Sequence, residues 1–356
     1  MCAACIDDDT VNQGFALRLL LALTVLAAVS FLVSLGSGSI DLAYSTVFQH
    51  LFSSEPGFEQ QIIQELRLPR SLAAFVTGAL LALAGVIMQV LLRNPLADPY
   101  ILGISGGAAV AALAVILLGL GGAWIANAAF IGAMSSILIV FGLSHGFGFG
   151  FGTGTGVESG QWSTTRLLLT GVVLSAGWGA LINILLTTSS NDNIHSMLFW
   201  LMGDLSQSSA GILEFLILAA GLLLSLYFAR ALNALAQGEL LASALGIQVN
   251  RLKLLLYFSA SLLTATAVTI AGSVGFVGLI IPHMLRLAGA RDHRILLPSA
   301  ALLGGSFLLL ADSAARTVIA PRQLPVGVLT ALIGVPVFLF ILRRSQRINT
   351  SPGDRN

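Results

Sequence analysis

Apolar runs of about 20 residues, set apart by short charged connections, dominate the pattern along this chain. A helix rises about 1.5 Å per residue, so a run of that length crosses a hydrocarbon layer of about 30 Å. Such runs occupy 16–36, 71–92, 123–143, 166–187, 211–229, 296–320 and 325–342. The stretch 100–120 is uncharged as well, although it opens on the small residues of "GISGGAA". From Leu254 to Leu285 no Asp, Glu, Lys or Arg interrupts 32 residues, about 48 Å if drawn out as one helix. That is too long for one crossing and short for two full ones. The glycines of "AGSVG", Gly272 and Gly275, supply a place to turn. Two crossings there bring the predicted total to ten.

The arginines decide between one crossing and two in that stretch. With two, the chain's termini share a side, and that side receives Arg18, Arg93, Arg166, Arg230, Arg251, Lys253, the cluster Arg286, Arg291 and Arg294, and the C-terminal arginines. Only Arg67, Arg70, Arg316 and Arg322 fall on the other. With one, the cluster at 286–294 changes sides and the bias fades. Cytoplasmic loops are the ones enriched in Lys and Arg. The pattern therefore predicts ten helices with both ends in the cytoplasm. Residues 37–65 then lie outside, along the surface, and "SHGFGFGFGTGTGVESG" at 144–160 forms a glycine-rich cytoplasmic linker.

Composition sharpens this reading by exclusion. The chain is 56% hydrophobic and 9% charged, against about 25% charged residues in a soluble domain. It could not cover its own surface with polar groups. A net charge of +1 excludes electrostatic capture of nucleic acid as a main role. The two cysteines, Cys2 and Cys5, exclude a disulfide scaffold and a four-cysteine zinc site. The first apolar run, from Ala16 to Gly36, has no A-x-A exit and reads as a span rather than a cleaved signal. The fold class is an all-α polytopic membrane protein.

Candidate chemistry is sparse. "GISGG" carries a G-x-S-G pattern around Ser105, as in intramembrane rhomboid serine proteases, and such a nucleophile needs a histidine base, for which only His195 and His283 lie near membrane depth. His283 follows Pro282 and has no Cys, Asp or Glu nearby, which suits a broken helix better than a metal. Asp312 and Arg316 stand one helical turn apart, so each lowers the cost of the other at membrane depth. Apart from these and Glu214 few charges fall inside spans, which disfavours a proton- or sodium-coupled carrier. A G-x-x-x-x-G-K-[ST] loop is absent, and the sole lysine, Lys253, sits in "NRLKLLL". If transport is active, the motor is another polypeptide. Residues 231–250, "ALNALAQGELLASALGIQVN", are the candidate seat for it, as two short helices with a glycine turn.

Four stretches carry a resemblance: "RLPRSLAAFVTGALLALAGVIMQVLLRNPLADPYILGISGG", "ALAQGELLASALGI", "GSVGFVGLIIPHMLRLAGARDHRILLP" and "LLLADSAARTVIAPRQLPVGVLTALIGVPVFLFIL". Together they resemble the FecCD family, the permeases of bacterial ATP-driven importers for iron chelates, haem and vitamin B12. The resemblance runs from about residue 16 to 344. It implies a single permease domain over 16–344, with cytoplasmic tails at 1–15 and 345–356, in the inner (plasma) membrane. It further implies a homodimer, two cytoplasmic ABC ATPase subunits that use ATP and Mg, and an extracytoplasmic substrate-binding protein. No cofactor is implied for this chain itself.

Residue roles follow from the same resemblance. Arg67 and Arg70 of "RLPR", with Arg316, match arginines that receive acidic groups of the binding protein, and Pro69 would stiffen the turn between the first two. Asn94 and Leu96 of "NPL", with Thr164 and Thr165 of "STTRLLL", match the cytoplasmic gate. Gly238, Glu239, Ala242 and Gly246 match the loop that contacts the ATPase. Ser105 falls in a Gly-Ser stretch that the family shares, which removes most of the reason to think it catalytic. The implied cargo is a metal chelate, an iron(III)–siderophore first, then cobalamin or haem. The long glycine-rich run and the acidic N-terminus, "MCAACIDDD", depart from the family's pattern.

Overall fold

The computed structural model describes residues 13–38, 42–51, 57–144, 164–206 and 208–349. The segments predicted as an N-terminal tail and as a glycine-rich linker lie almost wholly outside the described residues, as does the end of the C-terminal tail. Helices follow one another in the order α1 (Gln13–Gly36), α2 (Tyr44–Leu51) and α3 (Phe58–Gln61), which continues through a wide π-type turn at Ile62–Arg67 into α4 (Leu68–Leu91). A 3-10 turn at Pro99–Leu102 leads to α5 (Ile104–Leu117), α6 (Gly122–Ser144), α7 (Thr164–Thr188) and α8 (Asn191–Met202). Then come α9 (Ile212–Tyr227), α10 (Ala229–Gln237), α11 (Glu239–Ala244) and α12 (Val249–Ala271). The chain ends through α13 (Val277–Leu287), α14 (His293–Thr317) and α15 (Val326–Asn349).

Each predicted span finds a helix, but the helices are not all full crossings. Among the described residues six helical segments are long and apolar enough to cross a membrane, and α9 with α10, bent by 63°, forms a seventh. The spans expected at 100–120, in the second half of 254–285 and at 325–342 fall on shorter apolar stretches, Ile104–Leu117, Val277–Leu287 and Val326–Phe340. For α5 the reason is visible in "NPLADPY". Pro95 and Pro99 prevent α4 from running on, and the chain turns back into the bundle with Ala97, Pro99 and Leu102 buried before α5 begins. Non-helical backbone inside the bundle is tolerated because protein surrounds it. Likewise α12 stops at Gly272, whose φ of 67° breaks the long uncharged run where the glycines predicted a turn. Helix α8 was not expected, since the first half of "NDNIHSMLFWLM" is polar and its 12 residues are too few for a span.

The core is built around α4, which packs against α14, α12, α13 and α9. From Ala79 to Leu91 every residue of α4 is buried, as expected of a helix that is apolar on all sides. Glycine sets the distance between these helices. A Cβ on Gly78 would come within 2.2 Å of the Gly304 carbonyl oxygen on α14, and one on Gly85 within 1.9 Å of the Gly278 oxygen on α13. Small residues that let backbones touch are the usual means of helix association in lipid.

Candidate functional sites at the two ends of the bundle

One end of the bundle gathers the three arginines singled out by sequence. Arg67, last residue of the π-type turn, donates from Nη1 to the carbonyls of Leu35 (2.6 Å) and Gly36 (3.0 Å). A cation on the last carbonyls of α1 satisfies groups the helix cannot, and meets its negative dipole end. Arg70 grips Asp312 with Nε and Nη2 at 2.8–3.1 Å and donates from Nη1 to Gln323 Oε1 at 2.8 Å. Arg316 reaches the same carboxylate one turn on, Nε to Oδ2 at 3.2 Å, and donates from Nη2 to Ser34 Oγ at 2.9 Å. Ser34 in turn hydrogen-bonds Ser71 at 2.7 Å, joining α1 to α4.

The helical spacing of Asp312 and Arg316 thus forms the expected pair, but Asp312 is shared across the bundle with Arg70. None of the three arginines is more than 8% exposed, whereas docking residues on a free surface were expected. Pro69 differs too: it lies in the first turn of α4, with continuous helical backbone through it, and not in a separate turn.

At the opposite end lie the gate and loop candidates. Arg93 follows α4 with φ of 46°. Its N–H bonds to the Val90 carbonyl at 3.1 Å and that of Asn94 to the Gln89 carbonyl at 3.1 Å, the paired bonds of a left-handed helix stop. Glycine occupies that conformation freely, whereas an L side chain in it costs roughly 1–2 kcal/mol. Asn94 Oδ1 then accepts from the Leu96 N–H at 2.9 Å, an Asx turn that presents the Leu96 side chain 42% exposed. Thr164 and Thr165 open α7 and, with Leu92, Arg93, Gln237 and Gly238, line a polar pocket of about 420 Å³. Asn94 and Leu96 are not among its lining residues.

The loop 231–250 contains the two short helices expected of it, α10 and α11, hinged at Gly238 (φ 137°) and ended at Gly246 (φ 80°). Its residues do not all face outward. Ala242 is fully buried, and Glu239 is held by Lys253 (2.7 Å) and Arg93 (3.5 Å). What α11 exposes is Leu240, at 89%, with Leu241 and Leu245 beside it. Sequence reasoning missed these leucines because an exposed leucine and a core leucine look alike in a short apolar segment. On the other side of the loop, Asn233 accepts from the His293 N–H at 3.0 Å and donates to Asp292 Oδ1 at 2.9 Å, pinning α10 to the start of α14.

Ser105 has the wrong partner for a nucleophile. Its hydroxyl donates to Ser273 Oγ at 2.9 Å, joining the start of α5 to the break after α12. His195 packs against Phe199 with ring centroids 4.5 Å apart and planes tilted by 44°, and His283 Nε2 is buried without a hydrogen bond. Among the described residues no group of three or more His, Cys, Asp and Glu is placed to hold a metal ion.

Known proteins are similar to this chain over most of its length. The FecCD transport family matches residues 26–344. The cobalamin import system permease protein BtuC of Halobacterium salinarum is 39% identical, over 86% of this chain and 79% of its own. The hemin transport system permease protein HmuU of Yersinia pestis is 37% identical, over 95% of this chain and 98% of its own. A solved structure described as an inward-facing metal-chelate type ABC transporter superposes with a TM-score of 0.78 at 32% identity, covering 92% of this chain and 99% of its own. The chain belongs to the FecCD transport family: it is the multi-pass membrane permease subunit of an ABC transporter, and not itself an enzyme.

Proposed function

We propose that this permease carries a metal chelate into the cytoplasm, as a homodimer of single-domain subunits that each place ten helices in the membrane and both tails in the cytoplasm. Two ATPase subunits seat on α10–α11 and use ATP and Mg, while this chain binds no cofactor. A binding protein delivers the cargo at the arginine end. The observation that carries this reading is the exposed leucine face of α11, in a chain without a phosphate-binding loop, at the far end of the bundle from a cluster of arginines. An apolar face held outside the bilayer suits a protein partner. Two cations on a shared carboxylate, with Arg67 at the same end of the bundle, suit an acidic one.

The named relatives move cobalamin and hemin, so the cargo class is a large metal chelate. Within it we favour an iron(III)–siderophore complex, with cobalamin or haem as the alternatives. Permease, co-expressed ATPase and binding protein reconstituted in vesicles should accumulate the chelate only with ATP. Accumulation driven by an ion gradient without nucleotide would overturn the importer reading. Thermal protection of the binding protein by siderophore, cobalamin or haem identifies which chelate it is.

A further inference from the structure

Polar contacts at the loop end meet on one carboxylate that a docking role leaves unexplained. Glu239 Oε1 lies 2.7 Å from Lys253 Nζ and 3.5 Å from Arg93 Nη2. Lys253, the chain's only lysine, stands on α12 and is 1% exposed. Arg93 ends α4, immediately before the Asx turn of Asn94 and Leu96. Helices α4, α11 and α12 are therefore tied at a single carboxylate. The backbone of Arg93 is a second, independent observation. Its left-handed conformation would suit glycine without strain, and what the strained arginine supplies instead is a guanidinium that reaches Glu239. A third is the shared pocket, lined both by Gln237 and Gly238 of the loop and by Arg93, Thr164 and Thr165.

We propose that Glu239 transmits movement of the ATPase-bearing loop to the gate. It is a positioning residue with two unequal arms. The arm to Lys253 is short and ends on a buried ammonium, whose charge would be costly to leave uncompensated, so α11 and α12 move together. The arm to Arg93 is longer and half exposed to water, which makes it weak enough to form and break in each cycle. When α11 shifts, Arg93 follows or is released, and the turn holding Leu96 shifts with it. This rests on the reading of α10–α11 as the ATPase's seat.

The test uses the reconstituted complex of permease, ATPase and binding protein. Arg93→Gln should keep the ATPase subunit bound and hydrolysing, yet lower chelate uptake per ATP by about tenfold, within the range of a single coupling contact. A spin label at Leu96 should cease to respond to ATP in that variant. Charge reversal separates coupling from mere stability. Glu239→Lys with Lys253→Glu rebuilds the buried pair but leaves Arg93 facing a cation, so the protein should fold and remain uncoupled. Adding Arg93→Glu should restore uptake. Normal uptake in Arg93→Gln, full rescue by the double reversal alone, or loss of the ATPase subunit in step with uptake would each overturn the proposal. Leu240→Asp tests the seat separately: if it leaves ATPase binding intact the docking surface is elsewhere, while the outcome for Arg93→Gln stands by itself.

Discussion

Two carboxylates, Asp312 and Glu239, each hold two cations, but their surroundings set different energies. Asp312 is fully buried between Arg70 and Arg316. Removing it strands two buried guanidiniums, and breaking a buried pair from one side costs about 3–5 kcal/mol. Asp312→Ala should therefore lower the melting temperature in detergent strongly, or prevent recovery of folded protein. Lys253→Met should cost less, because Glu239 keeps Arg93 and is about a third exposed, so water can take the place of the ammonium. Equal losses of melting temperature in the two variants would mean that burial does not set these energies. Of these contacts, sequence revealed only the Asp312–Arg316 pair, since one helical turn separates the two. The bond from Arg70 to Asp312 spans 242 residues, and that from Arg93 to Glu239 joins segments with no common period. Neither leaves a local trace, so the sequence assigns Arg70 and Glu239 to partner contacts and gives no sign of the bonds they make inside the chain.

Helices were legible where apolar length and glycine alone decide. The break after α12 fell at Gly272 because an uncharged run too long for one crossing contained the residues that permit a turn. Length failed for α5 and α13, which are shorter than a full crossing, and for α8, whose polar first half hides a short helix. Close packing of α4 yields the sharpest prediction at this scale. Gly85→Val places a side chain where the Gly278 oxygen already sits, at 1.9 Å from the first added carbon. Overpacking costs typically 1–3 kcal/mol, and here the obstacle is backbone, which cannot rotate away. The variant should be inserted in the membrane but aggregate on extraction, whereas Gly57→Val, whose Cβ would meet nothing within 4 Å, should remain monodisperse. Identical elution profiles would show that α13 can be displaced from α4 at little cost. On α11 the argument concerns a face: Leu240→Asp should reduce co-purified ATPase by about tenfold, the scale of an interface anchor, and leave the permease's own melting temperature unchanged. Gly246→Trp is the contrasting case, since open space surrounds that glycine but its φ of 80° strains any side chain. It should weaken ATPase binding by distorting the end of α11, and lower the melting temperature slightly as well.

At the scale of the molecule, an apolar leucine face and a cationic cluster occupy opposite ends of one core centred on α4, so the partners proposed for them would not compete for the same surface. The cationic end raises a problem that the burial of its arginines makes sharper. Reversing the charge of Arg70 or Arg316 would break the bonds that hold α1, α4 and α14 together, so a loss of binding in such variants would not separate docking from misfolding. Asp312 offers the cleaner probe because it acts on the two properties in opposite directions. Asp312→Asn keeps the shape of the side chain and removes the charge that neutralises Arg70 and Arg316. Thermal stability should fall, since both guanidiniums lose their anion. If acidic side chains of the binding protein are received here, the unmasked positive charge should tighten capture of that protein, and added salt should weaken capture more steeply than in the wild type. If the arginines serve only to fasten helix ends, the same substitution should loosen the outer ends and weaken capture, with no change in salt dependence. Affinity for the binding protein measured at two ionic strengths, beside a melting curve, decides between these outcomes. Tighter, more salt-sensitive capture by a less stable permease is the expected result.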